Sequence, residues 1–319
     1  MVPRKLLKAL VVKPGKRAHL DKRGTDWDFD KDLKKAGKAL AKQRSEDILA
    51  KNLEDLARGQ NLLFASGSRS ILIVLQAMDT GGKDGTIKHV MSGVNPQGCR
   101  VHSFKQPSME EKAHDFLWRY SFRLPERGMI GIFNRSYYED VLVVRVHPEL
   151  LGTQEKLADK EGKRFWKNRY EAIREFERHL VENGTVVLKF FLHISKSEQK
   201  QRLLDRLEDP EKRWKFSPND LTERAYWGQY QKAYDKAISA TSTTWAPWYV
   251  VPADQKWLAR AIVADVVRRA IEDLDLSLPK VQPAVEKALA AARRELGGKP
   301  VKPVKTTKTS KPASRRKNS

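Results

Sequence analysis

The run Ile71-Leu72-Ile73-Val74-Leu75 places five aliphatic residues in succession with no polar side chain among them. A strand with one wet face alternates apolar and polar residues, so an unbroken run calls for burial on both faces, as inside a parallel sheet. Met129-Ile130-Gly131-Ile132-Phe133, Val186-Val187-Leu188-Lys189-Phe190-Phe191-Leu192 and Trp248-Tyr249-Val250-Val251 share that character. A shorter run, Cys99 to Phe104, follows the turn Asn95-Pro96-Gln97-Gly98. Between the runs lie stretches with helical spacing: Gly85 to Ser92, Met109 to Arg123, Arg164 to Asn183 and Lys256 to Leu274. Strands alternating with helices at these distances predict a three-layer α/β/α sandwich around a parallel sheet.

The flanks read differently. Residues 1–27 are basic, include the turn pair Pro14-Gly15 and are expected to lie as an arm across the surface. Residues 28–67 carry Leu40, Ile48, Leu49, Leu53, Leu56 and Leu62 at helical spacing, which predicts one or two amphipathic helices, the best stretch being Asp32 to Leu63. The chain thus divides into an amino-terminal segment 1–67, an α/β domain 68–278 and a carboxyl segment 279–319. Within the domain, the charged stretch from about 196 to 240 interrupts the strand-helix alternation before the last strand, and reads either as a mobile helical lid or as a solvated hairpin. After Pro279 come a short helix, Val285 to Leu296, and a Lys/Pro/Thr/Ser tail that lacks the apolar residues to build a core and is expected to be disordered.

The net charge is +22, and removing the eight cations of the tail still leaves +14. An excess of that size points to a polyanionic partner: nucleic acid, an acidic membrane surface or a phosphate polymer. Cys99 is the only cysteine, which rules out an intrachain disulfide and reads as a small core residue. The first sixteen residues make a poor signal peptide and no apolar run reaches spanning length, so a cytoplasmic protein with no membrane association is expected. The seven histidines form no close ligand spacing, which argues against a zinc site or a phosphohistidine.

Directly after the first strand stands Ala77-Met78-Asp79-Thr80-Gly81-Gly82-Lys83-Asp84-Gly85-Thr86, followed by a helix. In a P-loop of this kind, successive backbone N–H groups and the helix amino end face a phosphate, and a lysine reaches the transferring phosphoryl group. Gly81, Gly82, Lys83, Asp84, Gly85 and Thr86 are therefore phosphate-binding candidates. Ala77 stands where the first glycine of the usual pattern belongs, and Asp84 where its Mg²⁺-ligating hydroxyl belongs. Asp79 would repel phosphate unless a cation lies between them, so it reads as a magnesium anchor or, less demandingly, as a turn former capping the next helix. After the strand that ends at Phe133 comes Asn134-Arg135-Ser136-Tyr137-Tyr138-Glu139-Asp140. Ligands in open α/β sheets bind beyond the strands' carboxyl ends, so Arg135 is expected to face Lys83 and neutralise developing charge, with Glu139 or Asp140 holding metal.

Together these segments, with Asp209-Pro210-Glu211-Lys212-Arg213-Trp214-Lys215-Phe216-Ser217, resemble the polyphosphate kinase 2 family over residues 71–271. The resemblance implies a thymidylate-kinase-like P-loop fold, Mg²⁺ dependence, inorganic polyphosphate as phosphoryl donor and a homo-oligomer. It implies catalytic roles for Asp79, Lys83 and Arg135, places Arg119 toward the phosphates, and puts the lid residues Arg202, Arg206, Lys212, Arg213 and Lys215 on the phosphate chain. Many members have Asp-Arg-Ser where this chain has Asn134-Arg135-Ser136, and Asn-Arg where it has Glu139-Asp140. The version here is similar to the family's third class, whose members phosphorylate both AMP and ADP; the metal-binding acid would then move to Glu139 or Asp140.

The chemistry is coherent with that composition. A nucleotide phosphate is already deprotonated at neutral pH, so transfer needs alignment and charge cancellation rather than a general base. Two other readings compete: an ATP-dependent nucleotide kinase of the same fold, and a non-enzymatic nucleic-acid-binding protein. The second leaves Asp79, Lys83 and the acids after Arg135 without a role. The tail is either an accessory site for nucleic acid or polyphosphate, or a solubilising extension. Trp214, Tyr226, Trp227 and Tyr230 read as core or interface, with base stacking as the alternative.

Overall fold

Each apolar run is a strand, and the five strands form one sheet in the order β2-β3-β1-β4-β5. The computed structural model describes residues 1–298 apart from Glu155, Lys156, Ala158 and Glu161; the tail from residue 299 onward lies outside the described residues. The strands are β1 (Ser70–Ala77), β2 (Cys99–Ser103), β3 (Ile130–Asn134), β4 (Thr185–His193) and β5 (Trp248–Pro252). Every pairing is parallel, with Ile71 opposite both Ile130 and Val186. All eight residues of β1 and all five of β3 are buried, whereas β2, at the sheet edge, is half-exposed.

The helices, in chain order, are α1 (Arg4–Leu10), α2 (Lys31–Ala36), α3 (Lys38–Ser66), α4 (Lys83–Val90), α5 (Met109–Ala113), α6 (Trp118–Ser121), α7 (Glu139–Val146), α8 (Lys163–Glu182), α9 (Lys196–Glu208), α10 (Asn219–Ala225), α11 (Trp227–Thr241), α12 (Lys256–Glu272) and α13 (Pro283–Glu295). Helices α3, α4 and α12 pack together on one face, and α7, α8 and α11 on the other, which completes the three layers. Residues 1–278 form one compact unit, and residues from Pro279 onward a second that contains α13. No described helix is long and apolar enough to cross a membrane.

Of three local outcomes, one falls within the expected pattern and two depart from it, each for a physical reason. Residues 32–63 are two helices, one of the two outcomes expected, because Gly37 sits at φ +84 and breaks the ladder. The buried stripe of α3 runs through Ala41, Ser45, Asn52, Leu56, Gln60 and Leu63, while Leu40 is exposed. Near its carboxyl end α12 comes so close that a β-carbon on Gly59 would stand 2.7 Å from Ile271 Cγ2, and the neighbouring Gln60 accepts from Asn95 N–H. Met109 to Arg123 is likewise broken: His114 is extended, and Asp115 Oδ1 accepts from Leu117 N–H to start α6 afresh.

The amino-terminal segment contributes to the core. Leu6, Leu7 and Leu10 of α1 are buried, as are Val12 and Leu20. Val12 N–H donates to Trp248 O at 2.9 Å, and Val11 bridges Tyr249 antiparallel, so the chain covers the β5 edge that would otherwise be open to pairing.

Candidate active site

The connection leaving β1 runs toward β2 on one side, and that leaving β3 runs toward β4 on the other. Their carboxyl ends therefore open a crevice at the point where the sheet's winding reverses. After Ala77 the chain turns tightly, with Gly81 N–H donating to Met78 O at 3.0 Å. A β-carbon at Gly81 would stand 2.4 Å from that of Ala77, so only glycine fits. Thr80 takes φ +60 and Gly82 φ +91; the threonine's left-handed backbone costs about 1–2 kcal/mol. Helix α4 starts at Lys83, and its first-turn N–H groups have no partner within the helix. Lys83 Nζ donates back to Ala77 O at 3.1 Å. Burial, with help from Arg135, pushes its ammonium down to about 8, while Asp79, Glu139 and Asp84 act to raise it. Asp84 Oδ1 accepts from Asn134 Nδ2 at 2.6 Å, which ties the loop to the end of β3. Thr86, a turn further on, is buried.

Beyond β3, Arg135 also adopts a left-handed backbone, φ +65, with its N–H donating to Leu75 O at 3.2 Å. Its guanidinium spans two acids: Nη2 reaches Asp79 Oδ1 at 3.0 Å and Nη1 reaches Glu139 Oε2 at 3.2 Å. Glu139, led by its charge, and Asp79 hold the guanidinium above its ordinary range against the effect of burial. Ser136, fully buried, accepts from Gln76 Nε2 and from Tyr138 N–H. Tyr137 and Tyr138 turn to the opposite side and donate to Glu177 Oε1 at 2.9 and 2.8 Å. Lys189, from the middle of β4, donates to Glu177 Oε2 at 2.5 Å and to Thr241 O at 2.8 Å, and both charged side chains are fully buried.

Asp79, Lys83 and Arg135 thus meet as expected, and Glu139 joins them. Asp140 lines the same crevice, but its carboxylate has other partners. Tyr120 OH donates to its carboxylate at 3.3 Å, and Arg169 Nη1 lies 3.9 Å from Oδ1 while donating to its backbone oxygen at 2.7 Å. Burial raises the Asp140 carboxyl to about 6, with Arg169 and Tyr120 opposing.

These elements floor a cleft of about 1730 Å³ that extends under α9 and α10. A profile of the polyphosphate kinase 2 (PPK2) family matches residues 39–279. The chain belongs to this family. It is 51% identical over 257 residues to an ADP-polyphosphate phosphotransferase of Rhodopseudomonas palustris, covering 80% of this chain and 89% of that one. An AMP/ADP-polyphosphate phosphotransferase of Meiothermus ruber is 50% identical over 246 residues, 77% of this chain and 88% of its own. A crystal structure of polyphosphate kinase 2 from Arthrobacter aurescens TC1 superposes with a TM-score of 0.70 at 45% identity, over 79% of this chain and 87% of that one. The sheet and its loop are those of a P-loop kinase.

In this polyphosphate kinase 2 family member the basic residues of the lid segment divide by what they touch. Arg202, expected on the phosphate chain, lines the cleft and is also held by protein: Nε to Glu198, Nη1 to Thr80 O at 3.0 Å, Nη2 to Ala253 O at 2.6 Å. It clamps the loop to α9 and to the end of β5. Arg206 braces α9 through Asp220 at 2.9 Å while lining the cleft. Lys212, paired with Asp209, and Lys215, beside the Trp214 ring, also line it. Arg213 does not; its Nε donates to Leu207 O at 2.8 Å. Arg119 faces the cleft 3.3 Å from Glu111, packed against Phe104 and Tyr120. Of the four aromatics near the lid, Tyr226 and Trp227 pack on the core and Tyr230 is buried, donating to Glu223 at 2.6 Å, whereas Trp214 stands 77% exposed at the cleft.

Sequence reasoning missed four participants. Glu177 lies in no motif, and its one signal was Lys189, a charge inside an apolar strand run that had to find a buried acid. Lys256 and Arg260 line the cleft from α12, far along the chain from either motif.

Proposed function

We infer that this chain moves phosphoryl groups reversibly between inorganic polyphosphate and adenine nucleotides, with AMP and ADP as acceptors and Mg²⁺ as the ion. The observation that carries the reading is Arg135 held between Asp79 and Glu139 at the mouth of an amide-lined turn that contains Lys83. The Rhodopseudomonas and Meiothermus relatives, named as ADP- and AMP/ADP-polyphosphate phosphotransferases, support the donor and the acceptors. The third-class resemblance of Asn134 and Glu139 supports use of both AMP and ADP.

The donor set fits magnesium. Asp79 and Glu139 offer carboxylate oxygens, and Asn134 Oδ1 is a buried acceptor with no hydrogen-bond partner among the described residues. Among the described residues no group of three or more His, Cys, Asp or Glu could hold a metal ion by itself. That suits an ion that takes one or two carboxylates and leaves the rest of its shell to water and phosphate oxygens. Bound there, Mg²⁺ supplies charge neutralisation between donor and acceptor oxygens. Glu139, rather than Asp140, is the second acid in this reading, since it shares a guanidinium with Asp79.

The residues of the chain do the rest. Loop amides and Lys83 hold the transferring phosphoryl group, Arg135 offers positive charge where negative charge gathers, and Arg206, Lys212 and Lys215 draw the polyanion under the lid. Cytoplasmic location, assembly into a homo-oligomer and polyanion binding by the tail belong to the same reading, supported by the family resemblance and the chain's charge. The test is product analysis with Mg²⁺ and polyphosphate but no ATP, offering AMP and ADP separately. ADP and ATP are expected from AMP, and ATP from ADP. No product, with turnover restored by ATP as donor, would replace this reading with that of an ATP-dependent nucleotide kinase.

A further inference from the structure

One wall of the cleft carries cations that neither the loop nor the lid accounts for. Helix α12 begins at Lys256, and Arg260 stands four residues on, so the two side chains share a face. Both line the cleft, and neither has an ion pair or hydrogen bond among the described residues. The acids on that wall are engaged: Glu198 accepts from Arg202 at 2.7 Å, and Asp205 from Gln201 at 2.8 Å. Burial and then the charge of Arg202 lower both Lys256 and Arg260 from their ordinary values; Arg260 adds to the effect on Lys256, while Glu198 and Asp205 oppose it. Like charges held together, with the nearby acids already bonded to other side chains, are poised for an anion.

Two glycines of the phosphate-binding motif show how close these cations stand to it. Arg260 Nη2 stands 3.5 Å from where a β-carbon on Gly85 would sit, and Arg202 Nη1 3.4 Å from the same point on Gly82. Two guanidinium groups, Arg202 from α9 and Arg260 from α12, therefore stand beside the two glycines.

We propose that Lys256 and Arg260 form a second anion subsite, which takes phosphoryl units of the polyphosphate chain beyond the one held at Lys83. The inference rests on the polyphosphate reading above. It sends the chain out between α9 and α12, with the lid as one wall and α12 as the other. An anion held there gains two unpaired cations, and the occupancy depends on the length of the donor rather than on the nucleotide.

The test compares the full-length protein with Lys256→Ala/Arg260→Ala and with the charge-retaining Lys256→Arg/Arg260→Lys, on tripolyphosphate and on long-chain polyphosphate. Expected for the alanine pair is a loss in kcat/KM that deepens with chain length, to roughly 30-fold on long polyphosphate and mainly through KM, as charge-assisted bonds to phosphate are lost. The slope of log(kcat/KM) against log salt should flatten by about one for each cation removed. The charge-retaining pair should recover most of both, which a purely structural defect would not follow. Should the alanine pair fold poorly, Arg260→Gln alone is expected to show the same length dependence at smaller size. Equal loss at every chain length, or none on long polyphosphate, would overturn the subsite. Wild-type protein inert toward polyphosphate of every length would overturn the donor assignment itself, a result visible without any variant.

Discussion

Two ionic networks hang from the same turn after β3, and they are built in opposite ways. Behind the sheet, Glu177 and Lys189 are fully buried and answered by Tyr137, Tyr138 and Thr241 O. In front, Arg135 is 40% exposed and serves two acids with one guanidinium, on a backbone held at φ +65. The closed network is saturated and has nothing to exchange. The open one sits at a cleft and can trade its partners for a phosphate or an ion. A rigid, satisfied anchor on one side lets a strained, exchangeable arrangement persist on the other.

The comparison breaks first at the anchor. Glu177→Ala leaves Lys189 buried and unpaired, and should lower stability by about 4 kcal/mol in urea or thermal unfolding. A loss under about 1 kcal/mol would show that the rear network anchors nothing. In front, Asp79→Asn should leave the unfolding midpoint nearly unchanged while turnover falls by about 10²–10³-fold, as expected when a group acting on transition-state charge is removed. Equal damage to stability and turnover would erase the distinction between the two networks.

Glu139→Gln is expected to lower kcat/KM roughly 30-fold, and Asp140→Asn only a few-fold, since only Glu139 shares Arg135 with Asp79. The reverse order would move the second acid to Asp140. A pH series gives the smallest effect and a sign to check. The free protein holds the Lys83 ammonium near 8, so kcat/KM should fall about tenfold between pH 7 and 9 as the charge is lost. Stability should move the other way. The unfolded lysine titrates near 10.5 and binds more protons between the two values, so this group's contribution makes the fold more stable as pH rises from about 8. Activity and stability that fall together above pH 8 would assign the limb to unfolding.

Much of this was legible because the motifs sit beside strands whose burial writes itself into composition. Ile71–Leu75 announced β1, and Asp79, Lys83 and Arg135 follow β1 and β3 closely enough that the topology alone brings them together. The choice between Glu139 and Asp140 was not legible: neighbours on a helix point about 100° apart, and only the structure shows which faces Arg135. Helix α3 misled because its buried stripe includes polar residues such as Asn52 and Gln60, the latter accepting from Asn95 N–H, and because a glycine, Gly59, sits against Ile271 of α12. The family resemblance put Arg202 on the phosphate chain; its bonds to Thr80 O and Ala253 O follow from tertiary packing that no local pattern records. Lys256 and Arg260 lie in an ordinary helix more than a hundred residues past the second motif, and nothing in their own neighbourhood marks them.

The most direct test of the exchangeable front network is calorimetric titration of polyphosphate into wild-type protein and Asp79→Asn, with and without Mg²⁺. The account predicts that Mg²⁺ tightens binding by about tenfold or more in the wild type and has little effect once the Asp79 carboxylate is gone. The same Mg²⁺ dependence in both proteins would contradict it.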